Sequence, residues 1–318
     1  MAQRRRLGKK LFKSLLPILL VLAAAFVGIL GWMVYGILNP PRQAYLVTPQ
    51  SFANISGVAL KVTDETWTNR DGTRARGWLL RGGQGSPAVV FLHRYGGDRS
   101  WLFNLGIKLN ETSNFTILWP DLRGHGMEPP VKSSSFGVNE GGDLLAALDF
   151  LKTLKSPSQD NLVANRVGVY GVELGAYATL IAASQDPAVQ VLTLDSVPRD
   201  ANELVNTAVS TDLGVSSPIL LSMARLATRT YFLGHYSDKT SCDAAAALNN
   251  QQVLLLAGAD SGHLRDSTVA LRTCFPSGVK VEARTDLPLT GFTLASATGE
   301  QGEAYDRPVI DFFARNLR

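Results

Sequence analysis

The chain has 318 residues, of which 45% are hydrophobic, and this is typical of a globular protein that forms its core without metal or disulfide staples. Its net charge of +4 comes from six basic residues before position 14, and the rest of the chain has 25 basic and 27 acidic residues. A basic surface stripe that would neutralise nucleic-acid phosphates is therefore not expected, and we predict no nucleic-acid partner.

The first predicted element is a transmembrane helix at residues 15–38, LLPILLVLAAAFVGILGWMVYGIL. This run contains no charged residue, and its 24 positions span about 36 Å as a helix, enough to cross a bilayer. The basic tail, residues 1–14, precedes it, which predicts a cytoplasmic N-terminus and an extracytoplasmic C-terminal domain at the cell membrane. A cleaved signal peptide is the alternative, but the run is too long and no convincing small-x-small site follows Leu38.

Residues 39–57, which begin with NPPRQ, are predicted to form a linker, and residues 58–318 to form an α/β domain. Strand-like and helix-like segments alternate in this domain, and its central strands are continuous apolar runs, as in parallel strands covered on both faces. The candidate strands are 58–63, 77–81, 88–92, 115–119, 167–170, 189–194, 252–257 and 279–284.

Three further features refine this prediction. The turn NRDG at 69–72 indicates a hairpin between the first two strands. Residues 198–248 contain no strong strand pattern, which predicts a helical insertion that forms a small lid. A closing helix is predicted at the C-terminus, with Pro308 either in its first turn or dividing it.

Two cysteines, Cys242 and Cys274, form a disulfide or remain two thiols, and the sequence leaves both open. The chain has no CxxC spacing and no Cys/His cluster. We therefore predict neither a metal site nor a cofactor.

Three motifs follow successive strands of the predicted sheet. FLHRYGGDRSW lies at 91–101, WPDLRGHGMEPP at 119–130, and YGVELGAY at 170–177. In this order they resemble the oxyanion loop, the D-x-R-G-x-G turn and the nucleophile elbow of the α/β-hydrolase superfamily. The layout is similar to a membrane-anchored, bacterial-type branch with esterase- or peptidase-like relatives. This resemblance implies a mostly parallel central sheet flanked by helices, with a short helical lid.

The resemblance also implies positions for the reacting groups. At the elbow, where a nucleophilic serine is expected, the chain has Glu173. The oxyanion-hole amides would be those of Arg94 and Leu174, and the triad acid would be Asp260, just after the seventh strand.

The general base is missing from its expected place. No histidine follows His263, and Phe292 or Thr293 falls near the position of the catalytic histidine, after the eighth strand. His263 lies only three residues from Asp260 and is a weaker candidate. His93 and His125 lie in the turns of the first two motifs, where we expect them to hold loops by hydrogen bonds.

Glu173 precedes a helix, whose first N–H groups point outward and favour an anion. We expect its carboxylate to be ionised, to accept these N–H bonds and to fill the oxyanion hole, which leaves it unreactive. The sequence therefore predicts a pseudo-hydrolase that binds a small acyl-type ligand or a protein partner. The alternative is an active hydrolase, esterase- or peptidase-like or with a carboxylate nucleophile, that uses Glu173 and Asp260 with help from His263.

Overall fold

Eight strands form one sheet in the computed structural model, which describes residues 2–57, 60–233, 236, 238–293 and 299–317. The strands are β1 (Val62–Thr68), β2 (Arg74–Leu80), β3 (Ser86–Leu92), β4 (Thr116–Pro120), β5 (Val163–Val172), β6 (Val189–Asp195), β7 (Gln252–Leu256) and β8 (Lys280–Arg284). Their order is β1-β2-β4-β3-β5-β6-β7-β8. The pairs β1–β2 and β2–β4 are antiparallel, and all later neighbours are parallel.

Helices cover both faces of this sheet. They are α1 (Ala2–Leu38), α2 (Pro49–Ser56), α3 (Phe103–Ser113), α4 (Glu140–Thr153), α5 (Leu174–Ala183), α6 (Ala201–Asp212), α7 (Pro218–Tyr231), α8 (Ser241–Ala246), α9 (Leu264–Leu271) and α10 (Gly299–Leu317). Buried side chains of α3 and α10 form one apolar layer, and those of α4, α5, α6 and α8 form the other. The predicted mostly parallel sheet flanked by helices is confirmed.

Most predicted strands lie within a few residues of the observed ones, and the NRDG turn joins β1 to β2 as expected. The first strand was predicted too early, at 58–63, whereas β1 begins at Val62. Residues 58 and 59 lie outside the described residues. The sequence of β1, VTDETWT, is largely polar and exposed because β1 is an edge strand, so it has no apolar run to identify it.

Residues 39–57, predicted as a linker, contain the helix α2, none of whose residues is buried, and contact the domain at several points. Thr48 and Ser51 form a capping box that begins α2. Before this helix, the Tyr45 ring packs edge-on against Trp78 with centroids 5.1 Å apart. The Tyr45 hydroxyl donates to Asp121 over 2.8 Å. This segment therefore holds the end of α1 close to the sheet.

One helix of the described residues, Phe12–Leu38, is long and apolar enough to cross a membrane. Its last residues differ from the prediction, because Met33, Val34, Ile37 and Leu38 are buried in the core of the domain. The exposed apolar stretch is therefore Phe12–Trp32, whose length of about 31 Å matches the hydrocarbon core of a bilayer.

The closing helix α10 continues through Pro308, which neither lies in its first turn nor divides it. A proline removes one helical hydrogen bond, here to the carbonyl of Ala304. Ala304 is exposed, so that solvent replaces the lost amide at this carbonyl.

Three helices, α6, α7 and α8, lie between β6 and β7, within the segment predicted as a helical insertion. We call them the insertion. Cys242 of α8 forms a disulfide with Cys274, which follows α9. The structure thus resolves the alternative that the sequence left open, and the disulfide ties the insertion to the β7–β8 connection.

Replacing both Cys242 and Cys274 by serine should lower the free energy of unfolding by about 3 to 4 kcal/mol, because the bond closes a loop of 32 residues. Chemical denaturation of the oxidised protein measures this difference. Reduced wild-type protein is the control and should unfold at the same denaturant concentration as the variant. Equal stability of the oxidised wild type and the variant would contradict the prediction.

Candidate functional site

The turn from β5 into α5 holds Glu173 in a strained conformation, with φ 48° and ψ −104°. A positive φ is rare for residues other than glycine and is typical of functional turns. Two glycines make the turn tight: a Cβ on Gly171 would lie 2.4 Å from the Gly175 carbonyl oxygen, and one on Gly175 would lie 2.3 Å from that of Leu92. The YGVELGAY motif therefore forms the sharp elbow that the sequence predicted.

The Glu173 side chain turns into the protein, where the residue is only 1% exposed. One carboxyl oxygen, Oε2, accepts the amide N–H of Tyr95 over 2.9 Å. Burial raises the pKa of Glu173 to about 7, although the nearby Arg94 charge and the amides of Tyr95 and Leu174 all lower it. Burial therefore opposes the full ionisation that the sequence predicted for Glu173. The predicted capping is also corrected, because the Glu173 side chain makes no capping hydrogen bond to the first turn of α5.

The amide that the β3 loop supplies differs from the predicted one by one residue. It is the N–H of Tyr95, not that of Arg94, which contacts the Glu173 carboxyl. The Arg94 guanidinium lies 4.7 Å from the Trp101 ring centroid and 5.2 Å from that of Phe292. Arg94 therefore contributes a positive charge beside the carboxyl, held by two aromatic rings.

Asp260 follows β7, as predicted, and accepts hydrogen bonds from two hydroxyl groups. The Thr293 hydroxyl donates over 2.5 Å and that of Thr290 over 3.2 Å. Thr293 lies after β8, near the position where the resemblance predicts a histidine. The predicted triad acid is thus paired with a threonine hydroxyl. Threonine lacks the basic nitrogen that a histidine would provide at this place.

His263 lies at the start of α9, and its ring nitrogen Nε2 is 3.2 Å from the Thr207 hydroxyl of α6. Within the part of the chain that the structure describes, no hydrogen bond joins Glu173 to Asp260 or to His263. The three residues that the alternative prediction assigned to one site therefore make separate contacts. No group of three or more His, Cys, Asp or Glu residues in the same part of the chain is arranged to hold a metal ion.

His93 and His125 hold the loops around Glu173, as expected. His93 accepts the Leu122 amide over 3.0 Å and His125 accepts that of Gly96 over 3.1 Å. Their Nδ1 atoms lie 2.8 and 2.9 Å from backbone carbonyl oxygens and donate to them. Burial lowers the pKa of His93 to about 4 and that of His125 to about 3, so both rings are neutral at physiological pH.

Sequence reasoning missed a buried network that fixes the loop after β8. Asp195, at the end of β6, accepts the Gly291 amide over 2.6 Å and the Tyr305 hydroxyl. The Tyr305 hydroxyl also lies 2.5 Å from that of Tyr170 on β5. Burial raises the pKa of Asp195 to about 6. The sequence LTLD contains a signal for this network, because a charged residue at the end of a continuous apolar strand needs buried hydrogen-bond partners.

The end of the apolar helix α1 covers this site. The Tyr95 hydroxyl donates to the carbonyl of Ile37 in α1 over 2.5 Å, and the Tyr95 ring stacks on Phe136. The amide of Ser134 donates to the carbonyl of Leu38 over 2.8 Å. Tyr95 therefore contacts Glu173 with its backbone and the last turn of α1 with its side chain.

No protein-family model matches the chain, and no curated protein matches its sequence. Among solved structures, an esterase of Pyrococcus furiosus aligns with 88% of this chain and 100% of its own, at 20% identity and a TM-score of 0.63. An α/β hydrolase from a Penicillium species aligns over 81% and 99%, at 16% identity and a TM-score of 0.60. The chain has the α/β-hydrolase fold. A third neighbour, the acylaminoacyl peptidase of Pyrococcus horikoshii, aligns over 86% of this chain and 44% of its own, at 15% identity and a TM-score of 0.58.

In the α/β-hydrolase fold the nucleophile stands at the turn after the fifth strand, and the amide of the following residue is one oxyanion donor. Glu173 and Leu174 occupy these positions in the chain. The second donor of the fold comes from the loop after β3, which here carries Tyr95. The Glu173 carboxyl thus lies among groups that the α/β-hydrolase fold uses to bind an oxyanion.

The pKa of Glu173 makes stability depend on pH. Folding raises this pKa from its usual 4.5 to about 7, so the folded state keeps a proton that the unfolded state releases between these values. The contribution of Glu173 to stability therefore falls as pH rises through this window. Glu173→Gln cannot ionise. When the pH is raised from 5 to 8, its free energy of unfolding should therefore rise by about 2 to 3 kcal/mol relative to that of wild type.

Denaturant unfolding of both proteins at the two pH values measures this gain. His263→Gln is a matched control, because His263 is exposed and lies outside the elbow. A constant difference between wild type and Glu173→Gln across this range would show that the carboxyl is solvated and ionised throughout.

Proposed function

We propose that the protein is a membrane-anchored, non-hydrolytic member of the α/β-hydrolase fold that binds a small acyl-type ligand or a protein partner. The observation that carries this proposal is the contact between the Glu173 carboxyl and the Tyr95 amide. It supports a site in which the amide from the loop after β3 is already bound to a carboxyl of the protein itself.

Hydrolysis of an ester or amide on this fold requires two amides that are free to stabilise a developing oxyanion. The Tyr95 amide instead donates to Glu173, and the Leu174 amide lowers the pKa of the same carboxyl. An ionised Glu173 repels an oxyanion, and displacing it would leave a buried carboxylate without its hydrogen bonds. Both effects raise the barrier for acyl transfer.

The proposed lack of hydrolysis also rests on Thr293, which lies near the position after β8 where the fold carries its general base. A general base must take a proton from the nucleophile or from water at a pH near neutrality. Thr293 has only a hydroxyl group, and this hydroxyl donates to Asp260. A threonine in this place provides no group that titrates in the required range.

Membrane anchoring is supported by the exposed apolar stretch of α1 and by the basic tail before it. The positive-inside rule places this tail in the cytoplasm and the domain outside the cell membrane. The Cys242–Cys274 disulfide fits such a compartment, since structural disulfides persist where the surroundings are oxidising.

One observation favours a second function, hydrolysis with Glu173 as nucleophile or base. Burial raises the pKa of Glu173 to about 7, and a group that titrates near neutral pH is suited to acid–base chemistry. This function would require the carboxyl to leave the Tyr95 amide when substrate binds. It would also require an assisting base, for which the structure offers Asp260 and His263 only at separate contacts.

The direct test assays the full-length protein in detergent against short and long acyl esters, thioesters and amides, beside Glu173→Gln. The full chain is needed because Ile37 and Leu38 of α1 belong to the core of the domain. We expect no turnover by either protein. Turnover that disappears in Glu173→Gln would establish the carboxylate-dependent hydrolase and contradict the proposal.

A second prediction concerns a variant that places the serine and the histidine of the fold's triad at positions 173 and 293. In Glu173→Ser/Thr293→His the serine would stand at the elbow, the histidine beside Asp260, and the amides of Tyr95 and Leu174 would be free. We expect esterase activity at least about 100-fold above that of Glu173→Ser alone, the lower end of general-base contributions. Glu173→Ser/Thr293→Gln is the matched control and should show no gain. Equal activity of the two double variants would show that position 293 is not the base position.

A further inference from the structure

A groove of about 850 Å³ lies between the membrane helix α1 and helix α7 of the insertion. We propose that it binds one acyl chain of an anionic phospholipid from the surrounding bilayer. This inference rests on the membrane anchoring proposed above and adds a binding site that lies apart from Glu173.

The walls of the groove are apolar and come from two helices. α1 contributes Phe26, Val27, Leu30 and Val34, and α7 contributes Met223, Leu226 and Ala227. The volume lies in the range of pockets that bind ligands of lipid-chain or drug size. Side chains of this kind recognise a hydrocarbon chain by apolar contact alone and offer no hydrogen bonds along its length.

The depth of the groove argues for a lipid as its occupant. From Phe26 to Leu38 the α1 wall rises about 18 Å, and the lower half of this wall belongs to the exposed apolar stretch that ends at Trp32. A groove along the outer half of a membrane span opens to lipid tails. The two ends of the groove therefore lie at the level of the acyl chains and of the headgroups.

α7 itself has the features of a helix that lies at the membrane surface. Ile219 and Leu226 are 72% and 67% exposed, and the helix also carries Arg225 and Arg229. Exposed apolar side chains combined with basic ones are typical of interfacial helices. This face of the insertion would be covered by the bilayer rather than by water.

The upper end of the groove is polar and carries a positive charge. It is lined by Asn39, Lys132, Ser133 and Thr230. Lys132 is exposed, and none of the salt bridges formed by the described residues includes it. A lysine beside hydroxyl and amide groups matches a phosphate-containing headgroup, and its charge favours an anionic lipid.

The test reconstitutes the full-length protein in phosphatidylcholine vesicles that contain phosphatidylglycerol with a photoactivatable acyl chain. After irradiation, mass spectrometry maps the lipid adducts along the sequence. We expect adducts on the groove face of α7, between Met223 and Tyr231, in addition to those along the membrane span.

Ala227→Trp, which fills the groove, should lose most of the α7 adducts. Ser222→Trp adds the same side chain to α7 outside the groove and should keep them.

Lys132→Glu supplies an independent readout that leaves the apolar walls intact. It should reduce the preference for the phosphatidylglycerol probe over a phosphatidylcholine probe about fivefold, the effect of one lysine near a charged membrane surface.

Unchanged adducts in Ala227→Trp, or crosslinks between two copies of the chain through α7, would overturn the proposal. Labelling of Leu15–Val21 without any labelling of α7 would overturn the groove but support the anchor. Absence of labelling at both places would contradict the anchoring as well.

Discussion

The Glu173 carboxyl is buried against the amide of Tyr95 at a turn whose backbone is shaped to hold a reactive side chain. Burial favours the neutral acid, while the amides and the Arg94 charge favour the anion, and burial is the larger effect. The result is a carboxyl that holds the Tyr95 amide without requiring full ionisation. The arrangement keeps the geometry of a hydrolase elbow, and under the proposed function it disfavours acyl transfer because the carboxyl holds an amide that an oxyanion would need.

The surrounding structure holds this contact in place from three sides. His93 and His125 fix the loop that carries Tyr95, and Asp195 fixes the loop after β8. The last turn of α1 covers the site through the hydrogen bond from the Tyr95 hydroxyl to Ile37. Because the apolar helix α1 ends inside the domain core, the proposed membrane anchor and the elbow at Glu173 belong to one packed unit.

The fold could be predicted from the sequence because its central strands are continuous apolar runs and its motifs follow them in a fixed order. The turn at Glu173 and the place of Asp260 after β7 could be predicted for the same reason. The sequence pointed to the Arg94 amide, whereas the Tyr95 amide contacts Glu173, since the pattern HRYGG does not show which amide faces the elbow. The Asp195 network and the burial of Ile37 depend on contacts between distant parts of the chain, which no local pattern reveals.

A nuclear magnetic resonance titration tests the central contact most directly, with the side-chain carboxyl carbons of glutamate labelled with carbon-13 and the backbone amides with nitrogen-15. The structure predicts one glutamate signal with a midpoint near pH 7, absent in Glu173→Gln, and a Tyr95 amide shift with the same midpoint. If every glutamate titrated below pH 5 and the Tyr95 amide did not respond, the carboxyl would lie in solvent and the oxyanion hole would be open.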